Sequence, residues 1–475
     1  MKSVHITNYY HKNSGGISTA YNKLLEAGNR HGRPVRLIVP GETNAVEDVG
    51  EFGKIYFVKA DYSPVFDRRY RIMLPWKTYI FDQAPIKKIL RDEKPDLIEI
   101  GEKYTLSLMA GLLRKHILKV GSPRPMLVHF SCERMDDNVA SFINKGKISR
   151  WLCRRFMGVF NLPMFDFHLA NSEYTAGEMF EALSLDKRPR RSNALVNLCW
   201  RILRAPKIAL RDRIFVNQCG VDNVTFTAEH KNPSTRMKIA TELGLPEGTR
   251  LLLYAGRISP EKNVKLLVGL MEQLATAPEN QFHLVVAGDG PSLADLKAEA
   301  KRRVPGAITF LGHIGNKLEL AQLYANSDAF VHTNPNEPFG IAPLEALASG
   351  IPLVAPNSGG VLSYANDENS WLAQPNSNAF AAAIHDVFAD ESRLRSKIAR
   401  GLETSSRYSW EASTENLFAI YDEMYSRFQA QPDLYDYERY PRDVNFAAGL
   451  ATCETSAQLP LNTTSLVETH ANKVL

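Results

Sequence analysis

The chain has 475 residues, of which 44% are hydrophobic and 23% are charged, with a formal net charge of +5. These proportions are typical of a folded globular protein, they exclude a disordered chain, and so small a charge does not indicate a nucleic-acid-binding coat. At roughly 150 residues per domain, the length predicts two or three domains. The five cysteines are widely separated and include no Cys-x-x-Cys pair. A zinc ribbon and a disulfide framework are therefore excluded, and a reducing cytoplasm is expected.

Two blocks of the chain alternate strand-like apolar runs with amphipathic helical stretches. In the first block, a helix is predicted over 17–31 and strands over 3–7, 35–39, 97–100 and 126–129. In the second block, helices are predicted over 264–275 and 318–325, and strands over 250–255, 282–287, 307–311, 329–333 and 352–355. This alternation is typical of parallel sheets with helices on both faces. The sequence therefore predicts an α/β protein with two doubly wound domains, with the active cleft expected where the strand carboxyl ends of both domains face each other.

The two ends of the chain lead to further predictions. The first residues lack the charged and apolar regions of a secretory signal, and no apolar run approaches the ~20 residues needed to span a bilayer. From about residue 429 the chain is polar without sustained periodicity. A disordered tail over 429–475 is therefore expected.

Two segments in the first half combine positive charge with apolar residues at helical spacing. Over 145–160, basic residues without acidic neighbours alternate with apolar residues until Pro163 stops the run. Over 186–215, nine lysines or arginines stand against two aspartates, and Trp200 lies among the apolar residues. Such segments are typical of helices that lie in an anionic membrane interface. The alternative is an ordinary surface helix packed on its own domain, and no recognition motif favours nucleic acid.

The strongest chemical signal is the run EPFGIAPLE over 337–345, which follows a predicted strand and opens a helix. Its two carboxylates, Glu337 and Glu345, can face one bound ligand across the strand–turn–helix. Each carboxylate can accept two hydrogen bonds from vicinal hydroxyls. Between them, the backbone N–H groups of 339–341 are available to an anionic or hydroxyl group.

Three further glycine turns follow strands of the same block. Gly256 ends a strand, and Arg257 and Lys262 lie on the connection into the next helix, where such a pair can neutralise a diphosphate. The second turn consists of Gly288, Asp289, Gly290 and Pro291, and its backbone could approach a nucleotide. The third turn lies over 357–360.

Together these motifs resemble those of the family 4 retaining glycosyltransferases of the GT-B fold. The matching motifs are Gly15-Gly16, 256–263, 288–291 and 337–345, with a run at 409–411 that starts the helix returning to the N-terminal domain in such enzymes. The resemblance covers residues 1–428. It implies an N-terminal acceptor-side domain over 1–222, joined by the returning helix 409–428, and a nucleotide-sugar-binding domain over 223–408.

The resemblance also implies a role for each motif residue. Glu345 would bind the ribose hydroxyls, Glu337 and the 339–341 backbone the donor sugar, and Arg257 with Lys262 the departing diphosphate. His129 ends a predicted strand and would lie near the sugar, although a hydrogen-bonded core histidine is the alternative. The implied catalytic residues are Arg257, Lys262, Glu337 and His129. The implied donor-binding residues are Gly15, Gly16, Gly288, Asp289, Gly290, Phe339, Gly340, Ile341 and Glu345.

The predicted reaction is the retaining transfer of a hexosyl group from a nucleoside diphosphate sugar to an acceptor, a lipid or lipid-linked glycan at a membrane face. No cofactor and no metal is expected, because Arg257, Lys262 and helix N-termini supply the charge sink. Asp136 and Asp137 form a tempting metal pair, but neighbouring acids of this kind are expected at the surface. The predicted partners are the nucleotide-sugar donor, the acceptor and an anionic membrane surface contacted through 145–160 and 186–215, without nucleic acid.

The predicted location is the cytoplasm, peripheral on the inner face of the membrane. Three alternatives stay open: a soluble glycosyltransferase for a small or storage glycoside, a non-catalytic sugar-nucleotide-binding GT-B protein, and a nucleotide-sugar epimerase of similar architecture.

Overall fold

The structure is a computed structural model that describes residues 1–11, 15–63, 70–121, 123–142, 146–184, 189–275 and 281–436. The chain divides into two compact units. The first comprises Met1–Gln218 together with the chain from Ser413 onward, and the second comprises Cys219–Ala412. The boundaries expected near residues 222 and 409 lie close to these positions.

The first unit is built on a mostly parallel sheet. Its strands within the described residues are β1 (Ser3–Ile6), β2 (Val35–Gly41), β3 (Ala45–Val49), β4 (Gly53–Lys59), β5 (Asp61–Tyr62), β6 (Arg71–Ile72), β7 (Leu97–Ile100), β8 (Met126–Ser131), β9 (Phe167–Ala170) and β10 (Ile214–Val216). Eight strands form one sheet in the order β10-β9-β8-β7-β1-β2-β4-β3, while β5 pairs with β6. Within the large sheet, β3 and β4 pair antiparallel and the other described pairs are parallel. The central strands β1 and β7 are buried along their whole length, as is typical of a sheet covered on both faces.

Helices connect these strands. They are α1 (Gly15–Arg30), α2 (Pro75–Thr78), α3 (Pro85–Glu93), α4 (Ser107–Arg114), α5 (Met135–Phe142), α6 (Lys147–Phe156), α7 (Glu173–Ser184) and α8 (Pro189–Ile202). Helix α6 continues into a π-helical turn, Met157–Asn161, and then a 3-10 turn, Leu162–Met164. Pro163 lies in that last turn, where the helical run ends as predicted.

The second unit is built on a fully parallel six-stranded sheet in the order β13-β12-β11-β14-β15-β16. Its strands are β11 (Arg250–Ala255), β12 (Phe282–Ala287), β13 (Ile308–Gly312), β14 (Ala329–Val331), β15 (Leu353–Pro356) and β16 (Trp371–Ala373). Its helices are α9 (Pro233–Glu242), α10 (Lys265–Leu274), α11 (Leu293–Arg303), α12 (Lys317–Ala325), α13 (Ile341–Ala348), α14 (Ser377–Val387) and α15 (Glu391–Ser406). Successive residues of β11 belong to two separate apolar cores: Leu252 and Tyr254 pack on one face, and Leu251 and Leu253 on the other. Helices therefore cover both faces, which confirms the doubly wound α/β prediction.

The predicted strands over 97–100, 250–255 and 282–287 coincide with β7, β11 and β12. The sequence analysis did not predict the short strands β9, β10 and β16. It also missed the β3–β4 pair, whose outer strand β3 is almost entirely exposed and so lacks the buried apolar run used to recognise the others.

The chain returns to the first unit as α16 (Trp410–Ala430), followed by α17 (Pro432–Tyr435). Buried Tyr421 of α16 donates a hydrogen bond to Glu99 of β7, whose carboxylate also contacts His5 Nδ1 of β1 at 3.0 Å. The expectation of disorder from residue 429 is wrong for the first residues of that range. Arg124 donates a 3.0 Å hydrogen bond to the Tyr435 carbonyl, so ordered structure extends to 436. Residues 437–475 lie outside the described residues.

Candidate active site

Two strand-end turns of the second unit pack directly against each other. A Cβ atom on Gly288 would lie 1.8 Å from the Gly256 carbonyl oxygen, and one on Gly290 would lie 2.0 Å from the Ile258 carbonyl oxygen. Glycine is therefore required at both positions, because the two backbones touch. The Ile258 N–H also donates a 2.9 Å hydrogen bond to the Asp289 carbonyl. These residues thus have a packing role, and donor contacts by Gly288, Asp289 and Gly290 stay a prediction.

An ion pair joins Lys262 and Glu337. The Lys262 Nζ atom lies 3.0 Å from Glu337 Oε1 and 2.8 Å from Oε2. Asn334 Nδ2 donates a 2.9 Å hydrogen bond to the same Oε2 atom. Burial by itself raises the pKa of Glu337, but the Lys262 charge and these hydrogen bonds outweigh it and hold that pKa below its ordinary value. Glu337 is therefore an ionised carboxylate held in one orientation.

Two hydrogen bonds fix the segment that carries Lys262. This residue ends the 3-10 turn Pro260–Lys262, and its carbonyl accepts a 2.7 Å hydrogen bond from Thr333 Oγ1. The Thr333 carbonyl in turn accepts a 3.2 Å hydrogen bond from Asn263 Nδ2. Thr333 follows β14 and precedes the Glu337 turn. The two bonds therefore tie the connection after β11 to the connection after β14, which brings Lys262 to Glu337.

Glu345 lies on the second turn of α13 and is half-buried. Its Oε2 atom accepts a 3.2 Å hydrogen bond from the Tyr324 hydroxyl of α12. Tyr324 is itself held by stacking on Phe330, with ring centroids 5.2 Å apart. Burial raises the pKa of Glu345 to about 7, against the hydrogen bond from Tyr324, which lowers it. This second carboxylate therefore changes charge near neutral pH, unlike Glu337.

The turn that joins the two carboxylates has a buried aromatic support. Phe339 is 2% exposed, and its ring centroid lies 5.2 Å from that of Tyr364. Gly340 has a φ of +91°, and α13 begins at Ile341. The first N–H groups of a helix lack intrahelical partners and carry the positive end of its dipole. The predicted N–H groups of 339–341 thus lie at a helix start.

Arg257 is half-buried, and its carbonyl accepts a 3.0 Å hydrogen bond from Tyr254.

Three predicted site residues belong to the first unit. Gly15 and Gly16 are exposed and begin α1, so their N–H groups stand at a helix start. The strand that carries His129 continues to Ser131, so the expectation that His129 ends it is wrong. His129 has 0% exposure, and its Nδ1 lies 3.2 Å from His168 Nδ1. This burial and this contact fit the alternative left open by the sequence analysis, in which His129 is a hydrogen-bonded core histidine. Burial holds the pKa of His129 well below its ordinary value, so the ring is neutral.

Comparison with known proteins adds an independent observation. Residues 235–403, which include Arg257, Lys262, Glu337 and Glu345, match the family model described as glycosyl transferases group 1. A GDP-mannose-dependent alpha-(1-6)-phosphatidylinositol dimannoside mannosyltransferase of Mycobacterium tuberculosis is 24% identical over 420 residues, which cover 88% of this chain and 95% of that protein. These similarities show a glycosyltransferase whose residues 235–403 match the group 1 model.

Solved structures show that this glycosyltransferase has the GT-B fold. The sucrose-phosphate synthase from Thermosynechococcus elongatus matches with a TM-score of 0.66 at 19% identity, over 90% of this chain and all of that one. Anabaena HepE, solved in complex with UDP-glucose, matches with a TM-score of 0.62 at 16% identity, over 89% of this chain and 100% of that one.

The surface position expected for Asp136 and Asp137 is wrong. Asp136 has 0% exposure and Asp137 has 5%. Arg154 Nε lies 2.6 Å from Asp136, and Arg150 Nη1 lies 3.2 Å from Asp137. The basic residues of α6 therefore do have acidic neighbours, supplied by α5 rather than by the adjacent sequence. No group of three or more His, Cys, Asp or Glu side chains in the described ranges is arranged to hold a metal ion.

The two basic segments of the glycosyltransferase contain one buried tryptophan and several exposed apolar residues. Trp200 is 1% exposed and donates a 2.8 Å hydrogen bond to the Gly158 carbonyl, so this residue is packed inside its own unit and cannot contact a membrane interface. Each helix nevertheless presents an exposed apolar stripe. The α6 stripe consists of Ile148, Trp151, Leu152 and Phe156, and the α8 stripe consists of Leu195, Leu198 and Ile202. Residues 145 and 185–188 lie outside the described residues.

Within the part of the chain that the structure describes, no helix has the length and apolar character needed to cross a membrane. The sequence analysis also missed His332 and Asn334, which surround Glu337. The signal available was their place directly after a buried strand and just before the Glu337 turn, where polar side chains of a parallel sheet gather.

Proposed function

We propose that the glycosyltransferase moves a hexosyl group, with retention of configuration, from a nucleoside diphosphate sugar to a lipid or lipid-linked glycan at a membrane face. The observation that carries the donor half is the Lys262–Glu337 ion pair, which sets an ammonium group and an ionised carboxylate at strand ends near the start of α13. By the family resemblance, the Lys262 ammonium would bind the diphosphate and the Glu337 carboxylate would bind the donor sugar. The name of the mycobacterial relative, with its GDP-mannose donor, supports the same class of substrate.

The reaction breaks the bond between the anomeric carbon and the diphosphate oxygen, while the acceptor oxygen bonds to the same face of that carbon. The diphosphate leaves with the bonding electron pair, and Lys262, Arg257 and the N–H groups at the start of α13 stabilise its charge. The acceptor hydroxyl gives its proton to the departing phosphate. Glu345 accepts hydrogen bonds from the ribose hydroxyls. Because the cationic groups already supply the charge sink, the proposed reaction requires no metal ion.

The donor half is tested by incubating the purified protein with a panel of nucleotide sugars and detecting turnover by mass spectrometry. We expect one donor to be consumed and NMR of the product to show the anomeric configuration of that donor. Lys262→Ala should abolish most turnover, whereas Lys265→Ala, which removes an exposed lysine of α10, should not. An inverted product would contradict retention, and a folded, fully active Lys262→Ala protein would contradict the site.

The acceptor half of the proposal is supported by the exposed apolar stripes. Ile148 is 75% exposed, and Trp151, Leu152 and Leu198 are 44–55% exposed. Full burial of one such side chain contributes roughly 1.5–3 kcal/mol, so several half-exposed ones inserted together can hold a protein at a bilayer surface. The mycobacterial relative is named for a phosphatidylinositol-based acceptor. The four described cysteines form no disulfide, which suits the cytoplasm and the inner face of a membrane.

Flotation with vesicles of phosphatidylcholine and phosphatidylglycerol tests this half. We expect the protein to float at low salt, and the pair Trp151→Ser and Leu152→Ser to reduce flotation roughly tenfold while donor hydrolysis is unchanged. The control pair is Val224→Ser and Met237→Ser, which removes exposed apolar side chains from the second unit. Failure of the unmodified protein to float would favour the alternative of a soluble acceptor.

A further inference from the structure

Two arginines of α6 are engaged inside the first unit. Arg154 Nε lies 2.6 Å from Asp136 of α5, and its Nη2 atom lies 3.0 Å from Glu181 of α7. Arg150 Nη1 lies 3.2 Å from Asp137. Both arginines therefore have acidic partners on neighbouring helices, although residues 138–165 contain no acid.

These ion pairs cannot be exchanged freely for pairs with lipid phosphates. Asp136 has 0% exposure, and it also lies 3.1 Å from Arg134 Nη2. Asp137 is 5% exposed and accepts a further hydrogen bond from Tyr174. A buried carboxylate that loses a cationic partner is left with uncompensated charge, which is strongly unfavourable. The fold therefore opposes the transfer of these arginines to a membrane surface.

The paired arginines and the exposed apolar residues occupy different sides of α6. Arg150 and Arg154 are four residues apart, so they lie one turn apart on the side that meets α5. In the α6 stripe, Ile148, Leu152 and Phe156 have the same spacing along another side of the helix. The charges thus serve the contact of α6 with its own unit, while the apolar side chains are turned outward.

The third arginine of α6, Arg155, is half-buried. Burial raises the pKa of the Cys199 thiol of α8, and the charge of Arg155 lowers it. The Arg155 guanidinium therefore lies close to α8. By contrast, the four members of the α6 stripe are 41–75% exposed.

We propose that the α6 stripe binds an uncharged lipid surface, formed by zwitterionic or neutral lipids, and that the arginines of α6 hold the helix on its unit instead of contacting anionic head groups. An outward face of apolar side chains complements a surface without net charge, and a helix can bind a bilayer interface through its buried apolar area. The inference deepens the proposed function and rests on its membrane-bound acceptor. It departs from the anionic surface expected from the composition of 145–160.

The experiment measures partition of the full-length protein into vesicles of phosphatidylcholine alone and of phosphatidylcholine mixed with phosphatidylglycerol. We expect the two partition coefficients to agree within about threefold. Neither should change much between ~0.1 and ~1 M salt, where the Debye length falls from ~10 to ~3 Å. Trp151→Ser with Leu152→Ser should weaken partition into both kinds of vesicle about tenfold, whereas Arg150→Gln should leave both unchanged.

A gain of charge selectivity gives the sharper test. Asp137→Asn removes the charge that pairs with Arg150 but keeps an oxygen that can accept the Tyr174 hydrogen bond. An unpaired arginine near an anionic leaflet strengthens binding about fivefold. We therefore expect Asp137→Asn to partition about fivefold more strongly into the phosphatidylglycerol vesicles and equally into phosphatidylcholine alone.

The matched control is Asp328→Asn in the second unit, which makes the same change of net charge by removing the partner of Arg236. It should not alter partition, and donor hydrolysis checks that each variant is folded. Partition confined to anionic vesicles, its loss at ~1 M salt, or a selective loss in Arg150→Gln would overturn the inference and leave the proposed function standing. Equal gains in Asp137→Asn and Asp328→Asn would also overturn it. If neither kind of vesicle binds the unmodified protein, the membrane-bound acceptor itself is contradicted and the inference fails with it.

Discussion

Replacing Glu345 with Gln is expected to stabilise the protein at high pH while it weakens donor binding. The carboxyl pKa rises from 4.5 in an unfolded chain to about 7 in the fold, because the group is partly buried on α13. Between these pH values the folded protein keeps a proton that the unfolded chain has released. The free energy of unfolding therefore falls as pH rises through this window.

The size of the effect follows from the pKa difference. At about 1.4 kcal/mol per pKa unit, ionisation of Glu345 costs up to about 3.5 kcal/mol above pH 7, and partial exposure reduces this to about 1–2 kcal/mol. Glutamine carries no charge and still accepts the Tyr324 hydrogen bond, so Glu345→Gln avoids this cost. For a unit of this size, each kcal/mol raises Tm by about 2–4 °C.

The assay is thermal unfolding of both proteins at pH 5 and pH 8. We expect the Tm advantage of Glu345→Gln to be small at pH 5 and to reach several degrees at pH 8. The control is Glu319→Gln on the exposed side of α12, which should show no such pH-dependent gain. Equal Tm values at pH 8, or an advantage of the same size at both pH values, would refute the assignment of a half-buried carboxyl group whose ionisation is unfavourable.

Four further outcomes are expected. Lys262→Ala should lower kcat/KM roughly a hundredfold, because a lost charged contact costs ~2–3 kcal/mol; a kinetic assay on folded protein checks this. Transfer should survive a chelator, and loss of activity that magnesium restores would contradict the metal-free proposal. Donor affinity measured by calorimetry should fall as pH drops from 8 to 6, because Glu345 takes up a proton near its pKa of about 7, and Glu345→Gln should flatten that profile. Replacing Arg201 and Arg204 by Gln should reduce the fraction of protein that floats with vesicles less than polar substitutions in the α6 stripe do. This should hold even at low salt, where the Debye length is ~10 Å and screening of the arginine charges is weak.

The periodicity of the sequence predicted most of the fold but little of its side-chain pairing. Strands β7, β11 and β12 were predictable because each is a buried apolar run between turn signals. The ion pair between Lys262 and Glu337 joins residues from two different strand-end connections, and no local pattern records it. The glycines at 288 and 290 were visible as a turn, but the backbone contact that requires them depends on the neighbouring strand.

The errors at α6 and α8 have the same physical origin. Counting charges along the chain left Arg150 and Arg154 without acidic neighbours, yet α5 brings Asp136 and Asp137 to them. A helical pattern alone likewise could not tell which apolar residues face the interior. Trp200 is buried because its indole N–H reaches the π-helical turn, while Leu198 on the same helix is 55% exposed.

The return of the chain through α16 has a consequence for biosynthesis. The residues of the second unit are contiguous, and near its two ends Val221 N–H donates a 2.7 Å hydrogen bond to the Tyr408 carbonyl. The first unit instead needs Tyr421 of α16 to complete the buried cluster of His5 and Glu99. A ribosome that has released residues up to Ala412 has therefore delivered every residue of the second unit, while the sheet made earlier still lacks α16. Translation order and order of completion are thus reversed in this protein, and a chain stopped before α16 would expose the apolar surface that Phe418 and Met424 cover.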